Sequence, residues 1–202
     1  MKLCLLLIIL TAGNYQNYNT DIDFYYRLSS IVQRFKEKAM DEYECKRLMG
    51  EISILSEDIN KDLSYVDQGN QIKIKELNQL KLETKAIEEF IGCVSRIANY
   101  SPDIESFNLA NNRFNAEIVT ISKDTFCVDI ISISIGNYTA YLAVNRSTNN
   151  VKFKYKLIDY KGNLVGMGES GLWHNCIRCI HNNRDESHRS LVQIKEITCE
   201  II

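Results

Sequence analysis

The residues best equipped for chemistry are crowded into one stretch. His174, Cys176, Cys179 and His181 follow closely on Trp173, the single tryptophan, and with His188 the segment Gly171–His188 holds all three histidines. Thiolate and imidazole groups at such spacing can hold zinc tetrahedrally. The competing chemistry is oxidation, since thiols in an exported chain pair as disulfides and cease to be ligands. Compartment decides between the two, and it favours disulfides here, so neither a metal nor another cofactor is expected. The spacing Cys176-Ile177-Arg178-Cys179 also matches a redox C-x-x-C pair. That chemistry needs a helix N-terminus in a thioredoxin-like βαβ setting, whereas the surroundings read as strand.

Other catalytic patterns are missing. Gly168-Glu169-Ser170-Gly171 brings its second glycine one residue too early for the G-x-S-x-G nucleophile elbow. There is no glycine-rich phosphate loop, no H-E-x-x-H helix and no calcium loop. The sequence therefore reads as a non-enzyme.

The compartment is read from the N-terminus. Lys2 is followed by the apolar run Leu3–Leu10 and the small residues Thr11, Ala12 and Gly13, the order of a secretory signal peptide over residues 1–13. The run is far short of the roughly 20 residues that span a bilayer, and no later stretch is long enough, so no membrane span is expected. Cys4 would leave with the signal. Cys45, Cys93, Cys127, Cys176, Cys179 and Cys199 remain, an even set consistent with disulfides. Sequons at Asn99, Asn137 and Asn145 are acceptors for N-glycosylation in such a chain.

The elements that position these groups fall into two halves. After a loose, Asn/Tyr-rich stretch at 14–20, Phe24, Leu28, Ile31 and Phe35 recur at helical spacing, continued by Met49, Ile52, Ile59, Leu63 and Val66. Asp67-Gln68-Gly69-Asn70 supplies turn chemistry, with Gly69 free to take a positive φ. Leu77, Leu80, Ile87, Ile91 and Val94 then form a coiled-coil-like seam, and Pro102, the only proline, closes the helical half. Cys45 and Cys93 each stand 24 residues from Gly69. An antiparallel helical hairpin over 21–101 would bring them face to face for a disulfide. The alternative is an oligomer joined along the seam.

From about Ala116 the period changes to that of strands. Glu117–Ser122, Thr125–Ile135, Tyr138–Val144, Val151–Ile158, Leu164–Met167 and Leu191–Ile201 are separated by short polar turns, predicting a small antiparallel β-meander over 102–202. The fold class is therefore α+β, a helical hairpin followed by a β-rich domain, stabilised by disulfides. One strand has two distinct faces: Val151, Phe153, Tyr155 and Leu157 alternate with Lys152, Lys154 and Lys156. The lysines can bind a polyanion such as a sulfated glycan, or they can guard an exposed sheet edge against aggregation.

The whole chain of 202 residues carries a net charge of −2 with a hydrophobic fraction of 45 %, which suits a globular protein and excludes nucleic acid as an expected partner. The order of a short signal in Met1–Gly13, a Cys45/Cys93 helical hairpin and the Trp173-to-Cys179 stretch resembles, in outline, small secreted salivary proteins of blood-feeding flies. That resemblance implies binding of a host or tissue component rather than catalysis. The expected role is a secreted, extracellular binding protein with a protein or glycan partner. The rivals are an oligomerising coiled-coil protein and a secreted zinc protein or enzyme centred on His174–His188.

Overall fold

Helix caps and apolar spacing mark out the helical layer. The computed structural model describes residues 22–37, 41–97, 100–122, 127–136, 138–159, 161–183 and 193–202. Helix α1 covers 22–37 and buries Phe24, Leu28, Ile31, Val32 and Phe35 along one face. It does not continue to Val66 as its spacing suggests. Asp41 starts a new helix, α2 (Glu42–Tyr65), its carboxylate accepting from the Glu44 amide at 2.7 Å. The buried face of α2 is Cys45, Leu48, Ile52, Leu55 and Ile59.

The turn after α2 is made by side chains rather than by glycine freedom. Asp67 Oδ1 accepts from the Gly69 amide at 2.8 Å, and Asn70 Oδ1 accepts from the Lys73 amide at 3.1 Å to cap α3 (Gln71–Val94). Gly69 has no left-handed φ. Every residue of the expected seam, Leu77, Leu80, Ile87, Ile91 and Val94, is buried within the chain. The seam is therefore already used within the chain.

A fourth helix lies inside the part expected to be only strands. Asp103 accepts from the Ser106 amide at 2.7 Å and starts α4 (Ile104–Phe114), which ends at Asn115 in the left-handed region with φ 48°. Pro102 precedes this helix rather than closing the helical half. α4 supplies Phe107 and Phe114, and Phe90 of α3 stacks on Phe114 with ring centroids 4.5 Å apart. Phe35 of α1 meets Phe114 edge-on at 5.4 Å, so α1, α3 and α4 share one aromatic centre.

The strands form two antiparallel sheets, not a single meander. β1 (Glu117–Ser122), β2 (Asp129–Ile135), β3 (Tyr138–Val144) and β6 (Ile177–Asn183) form one sheet in the order β1-β2-β3-β6. β5 (Leu164–Leu172), β4 (Val151–Ile158) and β7 (Gln193–Ile201) form the second in the order β5-β4-β7. Side-chain alternation sends Ile131, Ile133, Ile135, Ala140, Leu142 and Val144 to the helices, while Ile130, Tyr141 and Ala143 face the other way. There they meet Val151, Phe153, Leu157 and Leu172 of the second sheet. The result is three layers, helices on sheet on sheet, with β2 and β3 covered on both faces.

Two features weld the layers. The Cys127–Cys199 disulfide joins the residue ahead of β2 to β7, across the two sheets, with Cα atoms 6.2 Å apart. Gly136, at φ +57°, turns β2 into β3 so close to the Lys36 carbonyl of α1 that a Cβ would collide with it. No helix among the described residues is long and apolar enough to cross a membrane.

Candidate functional site

The sequence-predicted groups are dispersed rather than gathered. His174 sits on an exposed turn, its backbone N–H donating to Asn150 Oδ1 at 3.0 Å. Cys176 makes an isolated bridge with Asp103 ahead of β6. Cys179 points into the helical layer, and His181 lies beside the Tyr141 ring at 6.0 Å. A register shift in β6 opposite Tyr141/Leu142 contributes to this separation. Among the described residues no cluster of three or more His, Cys, Asp or Glu side chains can hold a metal. His188 lies outside the described residues, as do residues 1–13 and the sequons at Asn99 and Asn137.

The expected Cys45–Cys93 pairing is not made. Cys45, Cys93, Cys176 and Cys179 are thiols, and only Cys127 and Cys199 are bonded among the described residues. The Cys45 thiol donates instead to Ser95 Oγ at 3.3 Å. The register is therefore offset by two residues from equidistance about Gly69. Two residues along a helix rotate a side chain by about 200°, which turns Cys93 away from α2. Cys93 looks toward β6, where the Cys179 backbone N–H hydrogen-bonds to its sulfur.

Asn145 is fully buried and is not presented as a glycan acceptor. Its amide donates to the carbonyls of Asn149, Leu172 and Trp173 at 2.8, 3.3 and 3.0 Å. Its carbonyl oxygen accepts from Ser147 N and Ser147 Oγ at 3.0 and 2.7 Å. The sequon's own serine thus serves a turn, and the asparagine ties the end of β3 to the end of β5, where the chain passes between sheets. Every polar atom of the side chain is occupied.

The lysine stripe alternates as expected, with Lys152, Lys154 and Lys156 outward and Val151, Phe153 and Leu157 inward. The edge-guard role fails, because β4 is the central strand of its sheet. Nor is the stripe a bare cationic surface. Glu169 of β5 pairs with both Lys152 and Lys154, and Glu200 of β7 stands opposite Lys152 in register. The Lys152 contact is the leading cause that holds the Glu169 carboxyl below its ordinary pKa.

A cleft that the sequence did not mark opens where the end of α3, β6 and the second sheet converge. It has a volume of about 240 Å³ and is lined by Cys93, Arg96, Tyr100, Tyr155, Glu169, Ser170, Arg178, Cys179 and Ile180. α3 delivers Arg96 by leaving the helix in a left-handed conformation, φ 54°, which a non-glycine residue adopts only when its surroundings demand it. β6 delivers Arg178, whose Nη1 donates to Ser170 Oγ at 2.8 Å. The Tyr155 hydroxyl donates a hydrogen bond to the Ile180 carbonyl at 3.3 Å, its ring lying over Gly168, where a Cβ would come within 2.7 Å of the hydroxyl. Tyr100 packs directly on Gly92 and donates to Glu88 at 3.3 Å.

The electrostatics favour an anion. Arg96 and Arg178 both face the cleft, while its carboxylate, Glu169, is already engaged by Lys152 and Lys154. Burial, then the Arg96 charge, lowers the pKa of nearby His181. Burial pushes the Cys93 thiol up to about 12, which removes it as a nucleophile. The cleft can therefore bind and orient an acidic group. Among known proteins, no family model, no curated protein and no solved structure matches the chain.

Proposed function

We propose that this chain is a secreted, extracellular binding protein, and that its cleft receives an acidic group carried by a glycan or protein partner. The observation that carries the reading is the convergence of Arg96 and Arg178 on one cleft of about 240 Å³. Two planar guanidiniums suit a carboxylate or sulfate better than lysines do. The volume suits one sugar-sized group rather than a long polymer. In this reading α2 and α3 act as a helical hairpin that holds the end of α3 in place, and the disulfide serves stability in an oxidising compartment.

Export itself rests on the order of residues 1–13 and is tested by N-terminal sequencing of protein secreted from eukaryotic cells. Binding is tested by passing that protein over immobilised glycans that end in a carboxylated sugar, and over the same glycans with that sugar removed. Retention on the acidic form alone, lost in Arg178→Ala with unchanged circular dichroism, supports the proposal. Equal retention on both forms contradicts it.

A further inference from the structure

The end of α3 is held by an unusual concentration of donors. The Val94 carbonyl accepts from the Tyr138 hydroxyl, from Asn182 Nδ2 at 3.1 Å and from the Cys179 thiol at 3.8 Å. Tyr138 is on β3, and Asn182 and Cys179 are on β6, so this one carbonyl fastens the helix to the sheet. The neighbouring side chain, Cys93, is fully buried and takes the Cys179 backbone N–H on its sulfur. Both cysteines line the same cleft. The Cys93 sulfur is thus set against the backbone of Cys179, whose own thiol reaches the carbonyl next to Cys93, across the joint between the helical layer and the four-stranded sheet.

We propose that Cys93 and Cys179 are the sites of a second disulfide, one that covalently locks α3 onto β6 beneath the arginine cleft. Cys127–Cys199 crosses from sheet to sheet, and Cys93–Cys179 would cross from helices to sheet, so the pair would staple all three layers. A disulfide would give up the Cys179 thiol's hydrogen bond to the His181 carbonyl at 3.2 Å, but none on which the Val94 carbonyl depends. The Cys179 thiol is the longest of the three donors on Val94, and a carbonyl has two lone pairs, already filled by Tyr138 and Asn182. Loss of the thiol proton therefore leaves no orphaned acceptor at Val94.

The reaction is thiol–disulfide exchange with a small-molecule disulfide, oxidised glutathione. A thiolate at Cys179 attacks the glutathione disulfide, forming a mixed disulfide and releasing one glutathione thiolate. Cys93, deprotonated, then attacks the Cys179 sulfur and expels the second glutathione. Two protons and two electrons leave the protein, and one glutathione disulfide becomes two thiols. Because the Cys93 thiol resists ionisation once buried, closure belongs to folding rather than to the finished structure.

The test is refolding of the full chain from its reduced, denatured state in a glutathione redox buffer, followed by alkylation and peptide mapping without reduction. The expected map links the Cys93 peptide to the Cys179 peptide alongside Cys127–Cys199. Linkage of Cys93 to Cys45 or Cys176, or recovery of alkylated Cys93 and Cys179 from correctly folded protein, overturns the proposal. Cys93→Ala provides the second arm, read by mass on the same refolding mixture. With no partner to expel it, glutathione should remain on Cys179 in the variant and be absent from wild type. Glutathione retained on Cys179 of wild-type protein would likewise overturn the pairing.

Discussion

The Cys45 thiol in the first turn of α2 meets the hydroxyl of Ser95, the residue that caps α3, at 3.3 Å. Both groups are buried, so this contact fixes which turn of α2 opposes which turn of α3. It also predicts the chemistry of Cys45. Non-reducing peptide mapping should recover Cys45 as a thiol, unlinked to Cys93. Cys45→Ala should cost only about 1–2 kcal/mol, the order for one small buried side chain. A disulfide to Cys93, which would close a long loop, would instead make the loss about 4 kcal/mol and dependent on reductant.

Asn145 should behave as a structural residue and not as a glycan acceptor. Replacing it with Ala removes the donors from three backbone carbonyls and the acceptor from the Ser147 turn. Each buried group left unpaired costs about 1–3 kcal/mol, so denaturant unfolding should register a loss of several kcal/mol. Peptides containing Asn145 from folded, secreted protein should carry no glycan. Full occupancy with normal stability would show that the crossover between sheets is built differently.

His181 gives the fold a pH dependence of known sign. Its folded pKa is lowered, first by burial and then by Arg96. A depressed histidine binds its proton less readily folded than unfolded, so stability is complete above the unfolded value of about 6.5 and declines as pH falls through that value toward the folded one. Denaturation midpoints measured from pH 7.5 to pH 5 should therefore drop more steeply in wild type than in His181→Gln. Identical slopes would mean that the imidazole is as accessible to protons folded as unfolded.

The sequence disclosed elements better than their arrangement. The α3 seam and the β4 alternation were legible because both are local periodicities: Leu77, Leu80, Ile87, Ile91 and Val94 are buried, and Lys152, Lys154 and Lys156 point outward. Helix α4 is obscured because a lone proline at 102, after a long helical run, has the character of a terminator. The Asp103–Ser106 cap and the Phe107/Phe114 spacing were the signals that could have disclosed it. The partition of strands between two sheets was not legible, because strand pairing is set by non-local contacts. One hint was present at the start of β2, where the consecutive residues Ile130 and Ile131 point to opposite faces and are both buried, as suits a stretch covered on both sides. The cleft was invisible for the same reason. Arg96 and Arg178 lie far apart in the chain, and neither stands in a recognisable motif.

The central claim is that Arg96 and Arg178 together bind an acidic group. The most direct measurement is titration calorimetry of the folded chain with a sialyl oligosaccharide and with the same oligosaccharide lacking its acidic sugar. A saturating heat should appear for the acidic form alone, and Arg178→Ala should weaken it by at least about tenfold, the order for losing a charge-assisted hydrogen bond. Equal affinity for both forms, or an acidic response that survives loss of both arginines, would contradict the account.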